Sequence, residues 1–162
     1  MGVKRLLLMR HAKAVPGDFM TPDFDRPLAS RGHDDARHMT SFLMKQGVMP
    51  QHIFSSSAQR TQETTAHLVE KMELSSDKVH FSETLYLAPA LVYLDVFKKL
   101  DDDVDCVMLV GHNPGISQLV AYLTGDVVDL KTAGVADVAV NASWSTVEQG
   151  DLKHIWFPKF ID

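Results

Sequence analysis

Cysteine is almost missing from this chain: Cys106 is the only one in 162 residues. A lone thiol rules out an intrachain disulfide and any zinc cluster built on several cysteines, and its place in an apolar run makes it a core residue. Long hydrophobic runs are missing too. None approaches the roughly 18 residues of a membrane-spanning helix, and the N-terminal run stops at Arg10, too early for a secretory signal. Nor is there any surplus of positive charge. Lys and Arg number 16 against 21 Asp and Glu, a formal charge of −5, whereas a partner held through its phosphate backbone requires a basic footprint. The expectation is a cytoplasmic protein with neither nucleic acid nor membrane as a partner. The eight histidines contain no HExxH and no i,i+4 pair, so no metal and no cofactor are expected. Repeats, low-complexity stretches and an interdomain linker are absent as well, and residues 1–162 read as one domain with a full core.

What the chain does have is a recurring pattern at the ends of its apolar runs. Val3–Met9 ends in Arg10-His11, and Asp105–Gly111 ends in His112, followed by Asn113-Pro114-Gly115. Between them, the short run Ile53-Phe54 leads into Ser55–Thr64, which carries Arg60. Short Val- and Leu-rich runs that stop at charged residues predict buried parallel strands, with polar side chains delivered to the carboxyl edge where open sheets bind ligands.

The elements between these runs predict an α/β fold. His11 to Arg31 is polar and rich in Pro and Asp, long enough for a functional loop. Ser30 is expected to precede a helix with Asp34 and Asp35 in its first turn and Met39, Phe42 and Leu43 on its apolar stripe, ending at Gly47 and Pro50. Ser56-x-x-Gln59 reads as a capping box opening a helix from about Ser57 to Lys71. A strand over Val79–Phe81 and a helix over Ala90–Leu100, with Leu91, Leu94 and Phe97 on one face, come next. Asn113 as N-cap and Pro114 at the first helical position open a helix to Leu123, closed by Gly125. Val135–Val140 and His154–Phe157 read as two last strands, and Asp101–Asp103 as a solvated loop. The order β-α-β-α-β-α-β-α-β-β implies a three-layer α/β/α sandwich around a mostly parallel sheet.

Two histidines and two arginines at strand ends suit phosphoryl transfer, which needs an in-line nucleophile and positive donors around the equatorial oxygens. A neutral histidine is such a nucleophile when one ring nitrogen is tied up as a donor and the other keeps its lone pair. His11 is placed for that role. Arg10 and Arg60, with Arg26 as a third, would clamp the phosphoryl oxygens through planar forks that a lysine lacks. His112 would be the cationic partner. Arg60 sits in the first turn of its helix, where the macrodipole disfavours a cation, and the helix opened by Asn113 presents free N–H groups to an anion. Other phosphatase chemistries fail on spacing: a Cys-x5-Arg loop would need an arginine at His112, the aspartates of 101–103 precede a strand instead of following one, and neither a P-loop nor a GxSxG elbow is present.

Arg10-His11, Ser55–Thr64 and Gly111-His112, in this order, resemble the histidine phosphatase (phosphoglycerate mutase-like) superfamily across most of the chain. The short length is most similar to the compact SixA-type phosphohistidine phosphatases. The resemblance implies a phosphoglycerate mutase-like fold, His11 as the phosphorylated nucleophile, Arg10 and Arg60 on phosphate, and His112 completing the pocket. It makes Arg26, in Arg26-Pro27-Leu28, a further phosphate contact. It implies as substrate either a phosphohistidine-bearing protein or a small phosphorylated metabolite. The chain departs from the pattern at Ala12, where glycine is usual, at Ser57, where proline is common, and at Asn113, where some relatives carry an acidic residue. For the general acid this leaves Glu83 or Asp23. A phosphohistidine substrate relaxes the need for one, since imidazole leaves readily, while an alkoxide does not. The expected function is a metal-independent phosphatase acting on phosphohistidine, with a small-molecule phosphomonoesterase and a non-catalytic phosphate-binding protein as the alternatives.

Overall fold

In a computed structural model describing residues 2–161, six strands form one sheet in the order β3-β2-β4-β1-β5-β6. They are β1 (Lys4–Arg10), β2 (His52–Ser56), β3 (Val79–Ser82), β4 (Cys106–Gly111), β5 (Val135–Val140) and β6 (Asp151–Trp156). The first four run parallel, while β5 is antiparallel to both β1 and β6. The fold class and the alternation of elements are those expected from the sequence.

Period-2 alternation decides how the helices cover the sheet. Along β1, Leu6 and Leu8 face one core together with α3 (Ala90–Lys98) and α4 (Gly115–Thr124). Leu7 and Met9 face the other core with α1 (Ser30–Lys45) and α2 (Gln59–Met72). All four of these side chains are fully buried, each worth roughly 1.5–3 kcal/mol of apolar transfer. That explains why β1 reads as an unbroken apolar run: both of its faces are covered.

Several helix starts differ from expectation. Ser30 is the first residue of α1 and Ala29 its N-cap. The Ser56–Gln59 capping box does not form. Ser56 is still in β2, α2 begins after Ala58, and no side chain caps it. Pro114 is the N-cap of α4, although the Asn113 side chain still accepts from the backbone N–H of Ser117. In α3, Leu94 and Phe97 are buried as expected, but Leu91 is 58% exposed and Tyr93 is fully buried in its place. Gly125 closes α4 in a left-handed conformation, as expected. Among the described residues no helix is long and apolar enough to cross a membrane.

The crossovers create a crevice. β1 and β4 are neighbours, with Arg10 opposite Gly111. The chain leaves β1 for α1 on one face and leaves β4 for α4 on the other. Loops that diverge to opposite faces open a gap at the carboxyl edge, the usual ligand position in such sheets.

Candidate active site

Strand register puts the two histidines side by side. The His11 N–H donates to the carbonyl of Gly111 at 3.1 Å, continuing the β1–β4 ladder by one residue, and the His11 and His112 rings lie 5.3 Å apart. They line a pocket of about 450 Å³ together with Arg10, Lys13, Asp23, Arg26, Arg60, Asn113 and Thr132.

Local chemistry fixes the state of His11. The ring is 8% exposed, and its Nδ1 lies 2.7 Å from the carbonyl oxygen of Ala12. A carbonyl only accepts, so Nδ1 carries the proton and Nε2 keeps its lone pair. Burial, followed by the positive field of Arg60, Arg10 and Arg26, pushes the imidazole pKa down to about 4. His11 is therefore a neutral base with its free nitrogen towards Arg60, whose Nε donates to it at 3.3 Å. The Ala12 N–H is held in turn by Thr64 Oγ1 at 3.0 Å.

Arg60 is only 3% exposed, and its other two nitrogens both reach Asp23, Nη1 to the carbonyl at 2.7 Å and Nη2 to the carboxylate at 3.0 Å. This ion pair offsets the unfavourable position of a cation in the first turn of α2. Asp23 also accepts from the Tyr86 hydroxyl and from Arg26 Nε at 3.0 Å. The Tyr86 bond most of all, with Arg26 and Arg60 after it, holds the carboxyl well below the ordinary range.

His112 departs from expectation in its charge. Burial most of all, then the fields of His11 and Arg60, push its pKa down to about 3, so the ring is neutral near pH 7. Its backbone N–H donates to the Tyr93 hydroxyl and its Nε2 lies 2.8 Å from Ser56 Oγ. Its Nδ1 is buried with no partner among the described residues, as is Arg10 Nε, the condition in which buried polar atoms gain most from a ligand. Arg10 is anchored through Nη1 to the carbonyl of Leu130. Arg26 reaches the pocket too, tied to Asp23 and to the carbonyl of Val15. Asn113 lines the pocket, but its amide donates to the carbonyl of Leu130 and its oxygen caps α4.

Glu83 is not brought in. It is exposed at the start of the 3-10 turn Glu83–Leu85 and is not part of the pocket lining. The same turn contributes Tyr86 instead, packed edge-on to His112 and 5.8 Å from the Arg60 guanidinium. Sequence reasoning gives no site role to Tyr86, Tyr93, Ser56 and Thr64, all of them neutral, and the two tyrosines lie outside every motif. Ser56 and Thr64 were within reach, because they fall inside the Ser55–Thr64 segment.

Comparison with known proteins finds relatives in sequence and in fold. The histidine phosphatase superfamily (branch 1) profile matches residues 6–85. An uncharacterized chloroplastic protein of Arabidopsis thaliana is 32% identical over 150 residues, covering 87% of this chain and 69% of the plant protein. The structure of the protein histidine phosphatase SixA complexed with tungstate superposes with a TM-score of 0.84 at 23% identity, over 96% of this chain and 97% of that one. Mycobacterial glucosyl-3-phosphoglycerate phosphatase superposes with a TM-score of 0.70 at 18% identity, over 96% and 99%. The two superpositions establish the fold; the profile match, with the plant relative, shows that this chain belongs to the histidine phosphatase superfamily and is a phosphatase.

Proposed function

We propose that the protein hydrolyses phosphohistidine on a protein substrate, without a metal, through a phosphorylated His11. The observation that carries this reading is the locked ring of His11: Nδ1–H on the Ala12 carbonyl and a free Nε2 facing Arg60 among three pocket arginines. Nε2 bonds to phosphorus as the substrate's P–N bond breaks, and the leaving imidazole, protonated on its other nitrogen, departs neutral. Water then attacks phospho-His11, releasing inorganic phosphate and restoring the lone pair. Arg10, Arg60 and Arg26 take the phosphoryl oxygens. A dianion beside His112 raises the proton affinity of that ring and makes it a charged donor.

The state of Asp23 supports phosphohistidine over an ester. Among the described residues it is the one carboxylate in the pocket lining, and it is held ionised by Tyr86, Arg26 and Arg60. An ionised carboxylate has no proton to give an alkoxide, and imidazole needs none. A small-molecule phosphomonoesterase is the second reading, favoured by the position of Asp23 in the pocket, where loss of its arginine partners to phosphate would let it take up a proton. A substrate panel of phosphohistidine protein, sugar phosphates and an aryl phosphate, run with chelator present, separates the two. Turnover of phosphohistidine well above the sugar phosphates, unchanged by chelator, is the expected result. Preference for a sugar phosphate selects the second reading.

A further inference from the structure

The pocket wall continues past the phosphate site. Arg10, Lys13 and Thr132 also line a neighbouring groove of about 550 Å³, which extends to the C-terminal 3-10 turn Pro158–Phe160. Shared walls mean that a substrate bound at His11 can extend directly into it.

The composition of the groove is unlike that of the chain. Five cations line it, Arg10, Lys13, Arg31, Lys131 and Lys159, against the single acid Asp35, in a protein of formal charge −5. Arg31 is paired with Asp35 at 3.6 Å and Lys131 with Asp129 at 3.0 Å. Lys13 and Lys159 have no carboxylate partner among the described residues, and Lys159 lies over the Phe160 ring at 5.7 Å. Phe160 is 77% exposed, and Phe157 forms a half-buried apolar floor beside it. Small-ligand sites enclose their ligand in mostly apolar walls. Here three of the five cations are exposed lysines, set beside an open aromatic strip, a surface complementary to a polypeptide bearing carboxylates beside an apolar residue.

We propose that this groove docks an acidic segment of the protein substrate next to its phosphohistidine, an inference that rests on the phosphohistidine reading of the active site. Lys13 and Lys159 take the carboxylates, and Phe157 with Phe160 takes an apolar side chain between them. The groove then sets which phosphoproteins are good substrates, while the chemistry stays at His11.

The test uses two phosphohistidine peptides of one sequence, flanked by Glu or by Gln, with an aryl phosphate as control. Wild type should prefer the Glu-flanked peptide about threefold to tenfold in kcat/KM, expressed in KM. High salt should remove the preference by screening. Lys159→Glu should abolish or invert it without changing turnover of the aryl phosphate, and Lys159→Gln should fall between. Equal kcat/KM for both peptides with wild type overturns the groove and leaves the active-site reading standing. Turnover of the aryl phosphate with neither peptide hydrolysed overturns both.

Discussion

Arg60 and Asp23 face each other with Nη2 and Oδ2 at 3.0 Å, and the Arg60 Nη1 also donates to the Asp23 carbonyl. Together with the bond to His11, every nitrogen of the guanidinium is engaged. Three of the five N–H groups are taken in this way, and an incoming phosphate meets the like charge of the Asp23 carboxylate beside the remaining donors.

Asp23→Asn should accordingly tighten binding of inorganic phosphate about threefold to tenfold, the effect of removing one like charge at the pocket wall. Calorimetric titration measures it. Turnover of phosphohistidine should persist in this variant and in Glu83→Gln, whose side chain lies outside the pocket. A loss of about 100-fold to 10,000-fold with Asp23→Asn would instead mark a general acid.

Arg60→Lys should be nearly as damaging as Arg60→Ala, with kcat lower by about 100-fold to 1,000-fold. The reason is geometric. Three donors spread over His11 and Asp23 come from one planar fork, and a lysine ammonium keeps the charge without the fork. Retention of most of kcat/KM by the lysine variant would reduce Arg60 to a source of field.

The two histidines make a prediction about pH. Folding lowers their pKa values from 6.5 to about 4 for His11 and about 3 for His112, burial being the main cause in each. The unfolded chain thus binds protons more readily, and the stability the rings contribute is complete above pH 6.5 and lost as the pH falls towards 4 and 3. Ring NMR titration should find both neutral at pH 5.5, and denaturant unfolding should show a slope below pH 6.5 that His112→Ala reduces. A ring titrating near its ordinary value would contradict the burial described.

Tyr93→Phe tests the buried support behind His112. The hydroxyl donates to the Leu85 carbonyl at 3.0 Å and accepts from the His112 N–H at 3.0 Å. Deleting it leaves both groups unsatisfied in the core and should cost about 1–3 kcal/mol, read by denaturant unfolding.

Charged residues at strand ends made most of the site legible in the sequence. Arg10, His11 and His112 end apolar runs, Arg60 comes just after the third one in the first turn of α2, and Arg10 and Gly111 meet because β1 and β4 pair in register. The sequence does not encode that pairing locally. Neither does it show that the 3-10 turn after β3 would bring in Tyr86 and leave Glu83 outside. Helix starts were misplaced where side-chain caps were expected: α1 and α2 are capped by Ala29 and Ala58, with no side-chain bond, and Ser56 is spent on His112. The neutral state of the His112 ring is illegible for a related reason, since burial and the neighbouring cations appear only once the chain has folded.

The most direct test of the account is the covalent state of His11 during turnover. Wild-type protein quenched early in the reaction with radiolabelled phosphohistidine substrate should carry label that is stable in base and lost in acid. Peptide mapping should place it on His11, and His11→Ala should carry none while keeping its circular dichroism. Label at the wild-type level in His11→Ala, or its location on another residue, would contradict the account.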